Sequence, residues 1–181
     1  MQKPANRVRI IGGRHRGRVV RFPAAPGLRP TPDRVRETLF NWLGQTLDGK
    51  ATLDLFAGTG VLSLEALSRG AARAVAVDRN PGLVRALEAT AQSFGLAGLE
   101  AHAADARAWL ARDSARYDVI FLDPPFDLDP WPWLLGASEA HLAPDGLIYA
   151  EAGAALALPP ELAMVRRDKA GHVHYHLLAR A

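Results

Sequence analysis

From Ala51 onward the chain repeats one unit: a short apolar run, a turn, then a stretch with apolar residues at helical spacing. The runs Ala51–Phe56, Arg73–Val77, Leu99–Ala103, Tyr117–Leu122 and Gly146–Glu151 alternate with helical stretches near Val61–Arg69, Pro81–Phe94, Ala106–Ala111 and Trp131–Leu142. Near-continuous apolar strands joined by crossover helices build a parallel sheet covered on both faces. After Pro159-Pro160 the pattern changes to two extended runs, Leu162–Arg167 and Val173–Leu178, with Lys169-Ala170-Gly171 between them. That pattern predicts a terminal antiparallel hairpin on one sheet edge. The expected fold is α/β: a mostly parallel, seven-stranded, doubly wound sheet with helices on both faces.

The first thirty residues read differently. Arg7-Val8-Arg9-Ile10-Ile11 alternates, Gly12-Gly13 turns, and Arg18-Val19-Val20-Arg21-Phe22 resumes an extended pattern, which predicts a small β-hairpin. Pro23, Pro26, Gly27, Pro30 and Pro32 then form a stiff linker to a helix over Pro32–Gln45, with Thr31 as its expected cap. Val35, Leu39, Trp42 and Leu43 give that helix one docking face. The expected division is therefore an extension over residues 1–30 and a main domain over residues 31–181. Charge follows the same line. Residues 1–36 hold ten Lys or Arg against one acid, a net charge of +9, while the rest has 12 basic and 18 acidic residues, a net charge of −6. Nine of those ten charges are Arg, whose forked guanidinium suits phosphates and bases, so the extension is expected to bind nucleic acid. The residues expected to do so are Arg7, Arg9, Arg14, Arg16, Arg18, Arg29, Arg34 and Arg36.

Composition excludes several classes. No apolar run approaches ~18 residues, the length a spanning helix needs. Met1 to Arg7 is followed by no apolar leader segment, so no secretory signal is expected. Cysteine is absent, which removes disulfides, thiolate metal sites and Cys nucleophiles. A cytoplasmic enzyme is the expectation.

In a doubly wound sheet, ligands bind beyond the carboxyl ends of the strands. An acid stands at or just past four of those ends: Asp54, Asp78, Asp105 and Asp123. Behind the first strand comes Asp54-Leu55-Phe56-Ala57-Gly58-Thr59-Gly60, a turn on two glycines that opens a helix at Val61. Such a turn brings bare backbone and helix N–H groups against a small ligand. Asp78 lies eighteen residues beyond Gly60, near the ~20-residue offset at which an acid meets ribose hydroxyls. Asp105 suits an adenine amine. These residues specify an adenosine without separating a nicotinamide dinucleotide from S-adenosylmethionine. The turn itself disfavours the dinucleotide, because the third small residue of that fingerprint is Ser63 here.

Asp123-Pro124-Pro125-Phe126 supplies the chemistry. A proline offers a carbonyl and no N–H, and an ionised aspartate only accepts, so the pair takes both hydrogens of an exocyclic amine. Phe126 is placed to stack on the base that carries it. Accepting both hydrogens draws the amine lone pair out of conjugation, and the carboxylate opposes the positive charge that develops on nitrogen. A methyl group delivered in line needs positioning rather than a metal.

The glycine turn and the Asp123–Phe126 motif resemble those of class I S-adenosylmethionine-dependent methyltransferases acting on amino nitrogens. More narrowly, Arg9-Ile10-Ile11-Gly12-Gly13, Arg16-Gly17-Arg18, Gly27-Leu28-Arg29-Pro30-Thr31 and Asp33 through Leu43 resemble the RsmD family of bacterial 16S rRNA guanine-N2 methyltransferases. The resemblance implies a Rossmann-like fold and methylation of one guanine in a hairpin loop of the small subunit or its assembly intermediate. S-adenosyl-L-methionine would be converted to S-adenosyl-L-homocysteine. Cofactor binding is thereby carried onto Asp54, Phe56, Gly58, Gly60, Asp78 and Asp105, and catalysis onto Asp123, Pro124, Pro125 and Phe126. Arg79 and Ala106, which follow two of those acids, complete the expected cofactor set. A monomer without metal or membrane attachment is expected.

An adenine-N6 methyltransferase of DNA or RNA would satisfy the same acceptor pair. A non-catalytic RNA-binding assembly factor would share the basic extension. His172, His174 and His176 share one face of an extended run, where substrate contact or an edge strand is expected rather than metal. Trp131 and Trp133 either line the base pocket or form the first buried turn of a helix. Ser63 reads as a helix residue.

Overall fold

A computed structural model describes residues 6–181; Lys3, counted in the basic extension, lies outside them. The chain opens with an antiparallel pair, β1 (Arg7–Arg9) and β2 (Val19–Arg21), then helix α1 (Asp33–Leu43). Alternating units follow: β3 (Ala51–Asp54), α2 (Val61–Ser68), β4 (Arg73–Asp78), α3 (Pro81–Phe94), β5 (Leu99–Ala103), α4 (Ala106–Arg112), β6 (Tyr117–Leu122), α5 (Trp131–Glu139) and β7 (Leu142–Ala152). The chain ends in β8 (Leu162–Ala170) and β9 (Val173–Arg180). The main sheet has seven strands in the order β5-β4-β3-β6-β7-β9-β8, parallel from β5 to β7 and antiparallel from β7 through β9 to β8. This is the α/β architecture the alternation predicts. No helix among the described residues is long and apolar enough to cross a membrane.

Two apolar layers cover the sheet. On one face α1, α2 and α3 pack through Leu39, Phe40, Leu64 and Leu87, and the N-terminal pair joins them through Val8, Ile10 and Val20. On the other face α4 and α5 pack through Leu110, Leu134 and Leu135. Helix α2 is buried at every position, so its single acid, Glu65, has to be paired. Glu65 Oε1 accepts from the Gly12 amide at 2.7 Å and Arg69 Nε at 3.1 Å, and Oε2 accepts from the Ile11 amide at 3.1 Å and Arg36 Nη1 at 3.0 Å. Arg36 also donates to the carbonyls of Thr31 and Arg9 and to Asp33. One buried ionic knot therefore ties the hairpin, the linker, α1 and α2 together. Gly13 lets the hairpin loop come this close: it has φ +73°, and a Cβ there would stand 2.0 Å from the Ser68 carbonyl.

Two local expectations need correction. Thr31 does not cap α1. The cap residue is Pro32, which has no side-chain acceptor, and the Arg36 amide bonds to its carbonyl. The stretch expected as helix to Leu142 stops at Glu139, and β7 starts at Leu142 rather than Gly146. His141 causes the switch: its carbonyl accepts the Tyr117 amide and its ring reaches the carbonyls of Ala115 and Leu110. A positive φ at Asp145 and a register shift beside Tyr117 absorb the irregular start of the strand.

Candidate active site

The carboxyl ends of β3, β4, β6 and β7 meet along one edge of the sheet. At β3 the chain turns through Gly58 and Gly60, and α2 starts on Gly60 with φ +75°. A side chain at Gly60 would be strained, and its Cβ would stand 2.3 Å from Leu87 of α3. Asp78 at the end of β4 braces the turn: one carboxylate oxygen accepts the Gly58 amide and the other the Asn80 amide, both at 2.8 Å. Each oxygen keeps a lone pair for a further donor such as a ribose hydroxyl. The linker crosses this turn, placing Leu28 against Gly58. Asp105 is exposed and caps α4 through the Ala108 amide at 3.0 Å, while Ala106 is buried beneath it. Phe56 is partly buried against the α4–α5 layer, and Arg79 is exposed.

Asp54 is 2% exposed. Its Oδ2 accepts from Ser63 Oγ at 3.3 Å, and its Oδ1 has no hydrogen-bond partner among the described residues. Burial, partly offset by Ser63 and reinforced by Asp78 and Glu151, lifts its pKa to about 7. A buried acceptor lacking a donor is costly unless a ligand supplies one. The ammonium group of an amino acid would do so, and Asp78 and Asp105, the acids expected to meet a ribose and an adenine, stand at the ends of β4 and β5, so the residues present fit S-adenosylmethionine. Ser63 is thus more than a helix residue, since its hydroxyl holds the buried Asp54 carboxylate.

Asp123 follows β6 and is partly exposed, with Pro124 buried behind it. Among the described residues no hydrogen bond reaches the Asp123 carboxylate or the Pro124 carbonyl, so the acceptor pair stands free. Pro125 is exposed and starts a turn closed by the Leu128 amide. Phe126 is 53% exposed, which a folded core does not require of a phenyl ring. Its ring lies beside Gly153, where an added Cβ would rest 3.7 Å away. Phe126, Leu128, Trp131 and the segment from Ala152 to Pro159 enclose a cleft of about 580 Å³, within the size range of small-ligand sites. Trp131 both lines this cleft and packs on the α4–α5 layer; Trp133 is partly buried in the same first helical turn, under Arg107.

Glu151 is a member of the site that the sequence reading passed over. The parallel pairs Phe121–Tyr149 and Leu122–Ala150 lead next to Asp123 and Glu151, on strands that neighbour each other by about 4.8 Å. Glu151 is 4% exposed and accepts from the Tyr149 hydroxyl at 2.8 Å. Burial raises its pKa, with the Tyr149 and Thr31 hydroxyls opposing the rise. The surrounding protein, then Glu151 and Asp54, hold the Asp123 carboxyl well above the ordinary carboxylate range. An acid at the end of the fifth strand was the available signal, of the same kind as the other four.

The expected RNA-contacting arginines divide. Arg7, Arg9, Arg14, Arg16, Arg18, Arg29 and Arg34 are exposed. Arg7, Arg9 and Arg21 line the outer face of the ribbon, with Arg7 opposite Arg21, an arrangement of like charges that favours a polyanion. Arg36 leaves the set: it is 0% exposed and paired with buried Glu65. A groove of about 990 Å³ runs between the hairpin loop, the side of α1 that carries Asp33, Glu37 and Asn41, and the carboxyl ends of α2 and α3; none of the strand-end acids Asp54, Asp78, Asp105 and Asp123 lines it.

Comparison with known proteins adds to this geometry. The model of the family described as Conserved hypothetical protein 95 matches residues 8–179. The chain is 38% identical over 189 residues to Ribosomal RNA small subunit methyltransferase D of Escherichia coli, covering 99% of this chain and 96% of that one. It is 34% identical to the protein of the same name from Haemophilus influenzae, covering 94% and 92%. The solved structure of yhhF from Escherichia coli superposes with a TM-score of 0.86 at 38% identity, over 96% of this chain and 98% of that one.

Proposed function

The chain belongs to this family, the RsmD family, and we propose from that premise that it methylates the exocyclic N2 of a guanine in a hairpin loop of 16S rRNA. The observation that carries the reading is the free acceptor pair of Asp123 and Pro124, set beside the exposed Phe126 ring at the edge of the cofactor turn.

S-adenosyl-L-methionine, when bound, supplies an electrophilic methyl group. Asp54, Phe56, Gly58, Gly60, Asp78, Arg79, Asp105 and Ala106 form its seat, with Asp54 toward the amino-acid end and Asp78 toward the ribose. The target base leaves its stack and lies on Phe126, which replaces part of the stacking it loses. Asp123 and the Pro124 carbonyl accept the two amine hydrogens and turn the nitrogen lone pair toward the cofactor side. Asp123 opposes the positive charge that grows on nitrogen. Its raised proton affinity then suits it to take the proton that nitrogen must lose. The substrate in this reading is the small subunit or an assembly intermediate, with a single copy of the chain acting on it. Residues 1–30 act as the RNA-gripping extension and residues 31–181 as the catalytic domain.

Incubating the protein with labelled cofactor and unmethylated small subunits, then digesting the RNA to nucleosides, tests this directly. The expected product is N2-methylguanosine, and Asp123→Ala is expected to lower its formation by at least ~100-fold with cofactor affinity near that of the parent. A label found on adenine N6, or full turnover by Asp123→Ala, would overturn the reading. Running protein-free 16S rRNA in parallel separates the two substrate forms.

A further inference from the structure

The C-terminal hairpin carries a cationic face that the catalytic reading does not use. Residues directly opposite in an antiparallel ladder share a face, so Arg167, His176 and Ala150 form one row and Lys169, His174 and Ala152 the next. Ala150 packs into the α4–α5 layer, which fixes the face on which these rows stand. Asp168 pairs with Tyr175 and points the other way. Arg167 and Lys169 are exposed, and neither forms an ion pair among the described residues. His176 is buried, and the charges of His174 and Arg167 reach it.

The position of this face matters more than its charge. Strand β9 runs antiparallel to β7, so the Gly171-His172 turn lies at the same end of the sheet as Asp123. Ala152, which pairs with His174, borders the cleft, and so does the next residue, Gly153, where an added Cβ would rest 3.7 Å from Phe126. The hairpin loop of the N-terminal extension lies elsewhere. The Arg14 amide bonds to the carbonyl of Ser68, the last residue of α2, at the end of that helix away from the cofactor turn. Arg14 and Arg16 line the distal groove.

We propose that the face bearing Arg167, Lys169 and His174, with His172 at its tip, holds phosphates of the RNA nucleotides flanking the methylated one. Arg14 and Arg16 then grip RNA at a distance from the target. The proposal rests on the RNA-methylating reading. Its occupant follows from charge complementarity to phosphate, beside a cleft that carries the exposed Phe126 ring.

Binding of a short RNA stem-loop, followed by fluorescence anisotropy across a salt series, is the test. For Arg167→Ala/Lys169→Ala the slope of log K against log salt should become shallower by about 1.4, at ~0.7 per single-strand phosphate contact. Affinity at low salt should fall roughly tenfold. Titration with S-adenosylmethionine should give the parental affinity, which also certifies the fold, and Lys169→Glu alone should weaken RNA binding in the same direction. Arg14→Ala/Arg16→Ala should leave stem-loop binding unchanged while weakening binding to full 16S rRNA. A stem-loop salt slope unchanged in both hairpin variants overturns the proposal. Methyl transfer to rRNA by the parent protein is measured alongside. If it occurs while the hairpin variants keep their slope, only the hairpin proposal fails; if the parent neither binds nor methylates RNA, both readings fail.

Discussion

Asp54→Asn should strengthen the ligand-free fold at alkaline pH while weakening cofactor binding. The Asp54 carboxyl has a pKa of about 7 in the folded chain against an ordinary 3.8, chiefly through burial. The folded state therefore holds this proton more tightly than the unfolded state does. The stability it contributes is complete below pH 3.8 and is lost as pH rises through about 7. The whole span corresponds to roughly 4 kcal/mol, and the part between about pH 5 and about pH 8 to roughly 3 kcal/mol. Asparagine has nearly the same shape and no charge, so any cost of its amide group is common to both pH values and cancels in the difference. For a chain of this size 1 kcal/mol moves Tm by about 2–4 °C. Relative to the parent, the variant's Tm should thus rise by about 6–12 °C between about pH 5 and about pH 8. Thermal melts of the ligand-free proteins at the two pH values measure this. A variant-to-parent difference that stays the same at both would refute the argument. The cofactor arm has the opposite sign: an ammonium group prefers the carboxylate, so S-adenosylmethionine should bind the parent more tightly as pH rises through about 7, and Asp54→Asn more weakly and without that dependence.

Two further outcomes follow from the buried acids. Glu65→Gln leaves Arg36 and Arg69 without their shared counter-charge in a buried site, and should cost about 3–5 kcal/mol in urea unfolding; native-state hydrogen exchange should show the amides of Val8 and Val20 losing protection first, and a loss below ~1 kcal/mol would contradict the pairing. Glu151→Gln removes a negative charge that raises the Asp123 pKa, so the acidic limb of the kcat/KM profile should move to lower pH; an unmoved limb would dissociate Glu151 from the acceptor.

The sheet was legible because its central strands are buried on both faces and so read as apolar runs: Arg73–Val77 and Tyr117–Leu122 stand within a residue of the observed strands. The edge strand Leu99–Ala103 is only partly covered, and it was found from its place between two helical stretches. Helix α3 matches at both ends, since Asn80 supplies a cap and Gly95 a left-handed stop. The switch from α5 to β7 was not legible, because it depends on where the His141 ring finds carbonyls contributed by α4 and the loop behind it. Arg36 was misjudged for a related reason. Its surroundings are polar in sequence, and only the tertiary approach of α2 supplies Glu65. The clue lay elsewhere, in the isolated acid of Val61-Leu62-Ser63-Leu64-Glu65-Ala66-Leu67, which has to find a cation once that helix is buried. Asp54, Asp78, Asp105 and Asp123 were visible as strand-end acids. Their distinct states were not, because Asp78 is bound by two backbone amides while Asp54 keeps a bare oxygen.

Those states bear on what the site is built to receive. Asp54, Asp123 and Glu151 stand at the ends of three adjacent strands, β3, β6 and β7; Glu151 raises the proton affinity of both Asp54 and Asp123, and Asp54 adds to that of Asp123. The chain has arginines to spare for such a cluster, yet among the described residues none pairs with any of these three acids. Arg36 and Arg69 instead neutralise Glu65 in buried helix α2. A structural role for the three acids would be better served by apolar residues or by the same arginines turned toward them. Leaving them without a counter-charge costs the ligand-free fold stability, which is the arrangement expected of acids that receive a cation from outside. S-adenosylmethionine carries two positive centres, an ammonium and a sulfonium, whereas the product of methyl transfer retains only the ammonium. The cluster should therefore favour the methylated form over the product, and the preference should grow as pH rises and the acids ionise. Competitive titration of the two forms at about pH 6 and about pH 8 reads that ratio directly; a ratio that falls with pH would assign the acids to the fold rather than to the cofactor.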